Sequence, residues 1–266
     1  MRVSLDLDGV SSPIVMSLHE EDEQVSREIL EQGIWEAFET AIVINRLKPG
    51  NVFIDVGANI GYYTLLASSI VGMEGQVIAF EPERKNFELL RSNSIQHVVA
   101  NIRTINAGLS DEEGQRQLYL SEDNLGDHRL FDDESRTGQR VNLIVGDQQL
   151  QRDCERIDFL KIDTQGAEAH VVEGLQETIA ANQEHLDMLI EFWPYGLIQA
   201  GRSARILLSL LEPFQFDVYV IDHVEHRLLP TDCAALLDAA ENSNLLPEHK
   251  GFINLFLTTT SVADLL

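Results

Sequence analysis

Three acids stand where apolar runs give way to a glycine turn or a proline. They are Asp55 in Val-Phe-Ile-Asp-Val-Gly57-Ala-Asn59-Ile-Gly61, Glu81 in Gln-Val-Ile-Ala-Phe-Glu-Pro82, and Asp163 in Phe-Leu-Lys-Ile-Asp-Thr-Gln-Gly166-Ala-Glu168. An apolar strand that runs into a tight turn and a helix makes a nucleotide-sized ligand site. Gly57 and Gly61 have no Cβ, so backbone can come close to a ligand there. Asn59 occupies the place of a dinucleotide fingerprint's second glycine, and Asn tolerates the left-handed region. Asp55 then selects the ligand's charge. A diphosphate beside a carboxylate in a partly buried site costs on the order of several kcal/mol, so NAD and FAD are disfavoured. S-adenosylmethionine brings an ammonium and a sulfonium and suits the turn. Glu81 follows Gly61 at about the 20-residue offset at which an acid meets ribose hydroxyls.

Methyl transfer from a sulfonium is an in-line displacement that needs the acceptor atom aligned at ~3 to 3.5 Å. A hydroxyl acceptor also gains from a general base, about 10² to 10⁴ in rate. Two sources of that base are legible. Asp163, with Glu168 in the first turn of the next helix, sits at the carboxyl edge of a strand read as central, where α/β sheets bind ligands. Glu168 is equally what a helix dipole favours in a first turn. His128, in Asn124-Leu-Gly126-Asp127-His128-Arg129, titrates near neutrality and lies in a long polar insertion. Asp127, Asp163 and Glu168 are oxygen donors of the kind Mg²⁺ or Ca²⁺ takes. No ligand spacing joins them, and no metal is assigned.

The elements that position these residues alternate. Residues 1–20 read as a short hairpin or cover, and residues 22–47 as two helices interrupted at Gly33. Strands are expected over 51–56, 76–81, 102–107, 157–162 and 186–192, with helices over 62–70, 85–94, 168–180 and 203–211, the pattern of a parallel, doubly wound sheet. Residues 111–147 break the rhythm as a helix-free insertion with strand-like pieces at 116–120 and 141–145, placed near the acceptor site. Residues 216–221 and 252–258 flank a polar helix over 231–241, so the sheet closes with an antiparallel strand. One domain over 1–266 is the simplest count, with 1–48 as N-terminal cover and helices.

Composition narrows the partners. The 266 residues carry 44 acids against 19 bases, a net charge of −25, with 44 % hydrophobic content. Such a balance argues against a phosphate-backbone partner. No apolar run approaches the ~18 residues of a membrane span and no leader pattern opens the chain, so a cytoplasmic protein without a membrane partner is the expectation. Cys154 and Cys233 read as ordinary reduced thiols.

With these segments in place, the chain resembles the FkbM family of S-adenosylmethionine-dependent methyltransferases. The resemblance rests on Phe-Ile-Asp55-Val-Gly57-Ala-Asn59-Ile-Gly61-Tyr-Tyr-Thr, Ala-Phe-Glu81-Pro82, Asn106-Ala-Gly108-Leu-Ser-Asp111 and Leu-Lys-Ile-Asp163-Thr-Gln-Gly166-Ala-Glu168, in family order over roughly residues 20–258. It implies a Rossmann-like class I α/β fold, a seven-stranded mostly parallel sheet with an antiparallel last strand and helices on both faces. It implies methylation of a hydroxyl on a small molecule or glycosyl group. By the same resemblance, Asp55, Gly57, Asn59 and Gly61 form the methionine-binding turn, Glu81 anchors ribose, and Asn106, Ala107 and Gly108 line adenine. Glu36 and Thr40, in Gly33-Ile-Trp35-Glu36-Ala-Phe-Glu-Thr40, cover the cofactor, and Asp163 borders it. The chain departs from the family at Thr164-Gln165, where many relatives have a hydrophobic residue and then Glu. Two other readings remain open at this stage: a nicotinamide-dependent oxidoreductase on the same fold, and a module that binds S-adenosylmethionine without turnover. Trp193 and Tyr195 are stacking candidates for a sugar ring and equally core aromatics.

Overall fold

The computed structural model describes every residue except 98, 132–134, 244 and 264–266. The chain opens with the hairpin, β1 (Arg2–Leu5) paired antiparallel to β2 (Ile14–Ser17). Helices α1 (Val25–Gln32) and α2 (Ala37–Arg46) follow on either side of Gly33. The alternation then runs β3 (Val52–Val56), α3 (Tyr62–Val71), β4 (Gln76–Phe80), α4 (Arg84–Gln96) and β5 (Ile102–Ile105). The insertion folds as a three-stranded sheet of its own, β6 (Gly108–Ser110), β7 (Gly114–Leu120) and β8 (Thr137–Val145), in the order β6-β8-β7; its residues 132–134 lie outside the described residues. Beyond it come α5 (Gly146–Asp153), β9 (Phe159–Ile162), α6 (Glu168–Glu173), α7 (Gln176–Asn182) and β10 (Asp187–Phe192). The chain ends with α8 (Pro194–Gln199), α9 (Ala204–Leu211), β11 (Asp217–Asp222), β12 (Arg227–Thr231), α10 (Cys233–Asn242) and β13 (Ile253–Thr258).

The central sheet has the order β12-β11-β13-β10-β9-β3-β4-β5. β10, β9, β3, β4 and β5 are parallel neighbours, and β13 runs antiparallel between β10 and β11. The sheet is the mostly parallel, Rossmann-like one expected, with eight strands in place of seven. The extra one, β12, is an edge strand hairpinned onto β11. Its Pro230 cannot donate to a ladder and is tolerated at an edge. The helix read over 168–180 is two helices. Gly174 between them lies so close to β6 that a Cβ there would stand 2.0 Å from the Ser110 carbonyl oxygen, so the break is where the insertion docks. Among the described residues no helix is long and apolar enough to cross a membrane.

Helices cover both faces. Ile54, Ile78, Leu160, Met188 and Leu255 pack with α6, α7, α9 and α10 on one side. On the other, Phe53, Phe159 and Phe256 stack across three strands, with centroids 5.3 and 6.5 Å apart, under α2 and α3. Each of these rings is fully buried and contributes about 1.5–3 kcal/mol by removal from water. The two-residue strand period then places Asp55, Lys161, Glu191 and Asn254 on that same face, two positions along from the phenylalanines or from Leu189. The pairings Asp55 with Lys161 and Glu191 with Asn254 set them side by side. One sheet face is therefore apolar through its middle and charged at the carboxyl ends of its parallel strands.

Candidate active site

A cavity of about 570 Å³ opens at that charged end. The glycine turn forms one wall. Gly57 has φ 84°, and a Cβ on it would fall 1.8 Å from the Asp163 carbonyl oxygen, so β3 and β9 approach here at a distance only glycine allows. The Gly57 and Ala58 amides both donate to the Phe80 carbonyl at 3.0 Å. Asn59 takes φ 49°, and its amide donates to Glu81 Oε2 at 2.8 Å. The Asn59 Oδ1 is buried without a partner among the described residues, an acceptor that burial alone would penalise.

Asp55 and Glu81 are buried beside this turn. Thr64 Oγ1 donates to Asp55 Oδ2 at 2.6 Å. Burial raises the Asp55 carboxyl, against the pull of Lys161 and Thr64. Glu81 also accepts from the Glu83 amide at 2.8 Å, and burial lifts it to about 8 against the two amides. The adenine segment divides. Gly108 lines the cavity, whereas Asn106 and Ala107 stand outside its lining. The Asn106 amide is engaged instead with the carbonyls of Glu81 and Pro82, at 2.9 and 3.2 Å, so it fixes the strand-end turn. Glu36, at φ 43°, accepts from Tyr63 Oη at 2.9 Å. Burial raises it to about 7, opposed by Lys161. Thr40 turns inward, donating to the Trp35 carbonyl at 2.6 Å.

The second wall holds Asp163, half-buried, with Oδ2 3.0 Å from the Lys161 ammonium and Oδ1 accepting from Gln165 Nε2 at 2.9 Å. Lys161 lies 4.8 Å over the Tyr63 ring. Burial alone would lower it, but Asp163, Glu36 and Asp55 hold it above the ordinary lysine range. Glu191, buried beside Gln165, joins the same wall. Neither Lys161 nor Glu191 stands out in the sequence reading. The signal was there: a lysine inside a central buried strand needs partners, and Glu191 ends a strand as Asp55 and Asp163 do.

Glu168 is placed differently from its sequence reading. It is fully buried behind the turn, outside the cavity lining. Its oxygens accept from the amides of Thr164 and Gly166 and from Thr164 Oγ1 at 3.0–3.1 Å. Burial raises it to about 6, opposed by those donors. It shapes the turn that carries Asp163.

His128 does line the cavity, with a geometry that argues against a base. The Ser121 amide donates to its Nδ1 at 3.1 Å, so the neutral ring carries its proton on Nε2. Burial, with Arg136 adding, pushes it down to about 4. A neutral imidazole with Nε2–H is a hydrogen-bond donor. Asp127 is clamped by Arg129 through two 2.7 Å contacts and by Arg136 at 2.7 Å. Among the described residues no three His, Cys, Asp or Glu side chains are grouped to hold a metal. Trp193 is 5 % exposed and lies under the Arg129 guanidinium at 4.9 Å, which leaves little ring to stack on. Tyr195 is half-buried, with Lys250 4.9 Å over it.

Comparison with known proteins adds an independent line. A family model described as the methyltransferase FkbM domain matches residues 55–210. The chain is 42 % identical over 77 residues to the 31-O-demethyl-FK506 methyltransferase FkbM of Streptomyces tacrolimicus, covering 29 % of this chain and 29 % of that protein. It is 26 % identical over 207 residues to methyltransferase sdnD of Sordaria araneosa, covering 64 % of this chain and 75 % of that one. Among solved structures, a methyltransferase FkbM from Methylobacillus flagellatus KT aligns with 14 % identity and a TM-score of 0.46, over 80 % of this chain and 44 % of that chain.

Proposed function

The chain belongs to the FkbM family of methyltransferases, and on that premise we propose that it uses S-adenosylmethionine to methylate a hydroxyl of a small molecule or glycosyl group. The observation that carries the cofactor is the charge imbalance of the cavity: Glu36, Asp55, Asp163 and Glu191 border it around Lys161, while its other cations are engaged elsewhere, Arg129 with Asp127 and Lys250 over Tyr195. Excess buried carboxylate is costly unless a cation enters. The donors fit the cofactor in its other parts. Glu81 keeps lone pairs for ribose hydroxyls, the unpartnered Asn59 Oδ1 offers an acceptor to a ligand donor, and the Gly57 turn leaves backbone open to close approach. The bound cofactor supplies an activated methyl on a sulfonium. This chain's residues hold it, exclude water with the insertion, and take the acceptor's proton. Asn86 Nδ2 donates to the Leu125 carbonyl at 2.9 Å, tying the insertion down over the glycine turn.

Oxygen as the acceptor atom is supported by the Streptomyces tacrolimicus relative, whose name specifies an O-demethylated substrate. It is also supported by a cavity wall with a carboxylate, Asp163, exposed enough to accept a proton. Nothing specific favours a nicotinamide cofactor, whose diphosphate would meet Asp55 and Glu81. The test is a screen of sugars, glycosides and polyketide-like alcohols with S-adenosylhomocysteine release as readout. Release with hydroxylated acceptors is expected. Release confined to amine or carbon acceptors would overturn the O-methyl reading.

A further inference from the structure

Gln165 stands between two acids of the cavity wall. Its Nε2 donates to Asp163 Oδ1 at 2.9 Å and lies 3.3 Å from each oxygen of Glu191. It does so from φ 52°, a left-handed conformation that costs a non-glycine residue on the order of 1–3 kcal/mol unless its surroundings impose it. Glu168 imposes it, by gathering the amides on both sides of Gln165. The two acids it bridges are unequal. Asp163 has 31 % of its side chain exposed and an ion pair with Lys161. Glu191 is 7 % exposed and, among the described residues, has no cation within ion-pair reach.

We propose that Gln165 is a positioning residue that holds an ionised Asp163 beside a protonated Glu191, and that Asp163 is thereby the base for the acceptor hydroxyl. This rests on the O-methyl reading above. Two carboxylates sharing one amide do not both ionise cheaply, and the more buried one gives way. Burial, with Asp163 and Glu168 adding, holds Glu191 well above the usual carboxyl range against the Gln165 amide, which favours its ionised form. The charged groups that line the cavity around Asp163 are consistent with this division, Lys250 among them being held over Tyr195. Lys161 on its own strand pairs with it. Asp55 on β3, Glu36 before α2 and Glu168 on α6 are acids raised by burial, and the insertion adds neutral His128 and the paired Arg129. In the reaction the hydroxyl oxygen bonds to the transferred carbon and the carbon–sulfur bond breaks, its electron pair going to sulfur. The hydroxyl proton passes to Asp163, which becomes a carboxylic acid and returns the proton to water.

The test combines pH profiles with a titration that needs no turnover. With the hydroxylated acceptor that releases most S-adenosylhomocysteine, kcat should rise with pH as Asp163 ionises. Gln165→Glu puts a third acid against Asp163 and should move that limb up by about one pH unit or more. Glu191→Gln, which exchanges a neutral carboxylic acid for a neutral amide, should leave it in place, and Gln165→Asn should lie closer to wild type than Gln165→Leu. A merely structural role of Gln165 would lower kcat equally at all pH and leave the limb in place in Gln165→Glu, and a limb that falls in Glu191→Gln would show an ionised Glu191; either result would overturn the proposal. In parallel, carbon-13 NMR of the side-chain carboxyls, assigned with Asp163→Asn and Glu191→Gln, should show Asp163 titrating below Glu191, and the reverse order would overturn it. Calorimetry with S-adenosylmethionine separates the two levels. If wild type fails to bind it, the proposed function fails, while the carboxyl titration still decides the division of charge.

Discussion

Glu81 and Glu36, lifted by burial to about 8 and about 7, carry protons at neutral pH that ribose hydroxyls and an ammonium group would displace. Ligand donors favour the ionised form and lower the bound-state pKa, so binding releases protons below about pH 8. Affinity for S-adenosylmethionine is therefore expected to rise from pH 6 to 8. Calorimetry in two buffers of unlike ionisation enthalpy should show proton release, and proton uptake would contradict the assignment. Asp55→Asn should weaken S-adenosylmethionine about tenfold or more, equivalent to ~1.4 kcal/mol, and adenosine far less. Equal losses would count against Asp55 as the cation's partner. For His128, replacement by Gln keeps a side-chain N–H donor, so the pH profile of kcat should keep its shape. Disappearance of a limb near neutrality would restore His128 as a base. Asp55, Glu81 and Asp163 were legible because each acid ends an apolar run at a glycine turn or a proline. Lys161 was hidden inside a run whose average is hydrophobic and Glu191 because Phe-Trp rather than a glycine turn follows it, and the burial of Glu168 was hidden because sequence does not tell whether a first-turn acid faces a ligand or its own backbone.

At the scale of elements, the glycine turn yields the sharpest contrast. Gly50 and Gly57 have nearly the same φ, 87° and 84°, yet a Cβ at Gly50 meets nothing within 4 Å while one at Gly57 overlaps the Asp163 carbonyl. Gly50→Ala pays only for its backbone conformation, about 1 kcal/mol. Gly57→Ala must also push β3 from β9 and should cost more than about 3 kcal/mol in denaturant unfolding, in the range of the severe mechanisms. Equal costs would mean the strand ends are not packed as described. The parallel strands and the helices between them were readable from their apolar runs. Elements without such a signal were not: α5 is polar, with Leu150 its buried apolar residue, α8 is six residues opened by Pro194, and β12 carries a proline within a five-residue edge strand. The helix also breaks at Gly174, whose glycine is a local signal but whose contact with the Ser110 carbonyl is a tertiary one that no local pattern announces.

For the whole molecule, the raised carboxyls set how stability depends on pH. Glu81, Glu36 and Glu168 bind protons more tightly folded than unfolded, so their contribution is present at low pH and lost as pH rises through about 6 to 8. His128 has the opposite sign: lowered to about 4, its contribution is lost as pH falls from about 6.5 to 4. Self-repulsion from a net charge of −25 acts with the carboxyls. Three such carboxyls outweigh one histidine, so without cofactor the melting temperature should decline from about pH 5 toward pH 8. Saturating S-adenosylmethionine should raise it more at pH 8 than at pH 6. A cofactor shift independent of pH would detach the carboxylates from the binding site.

The central claim, a cavity whose excess carboxylate selects a cationic nucleoside cofactor, is tested most directly by calorimetry of the wild-type protein with S-adenosylmethionine, S-adenosylhomocysteine and NAD in parallel. Binding of both adenosyl amino acids with no measurable binding of NAD is the expected result. Binding of NAD alone would contradict the account.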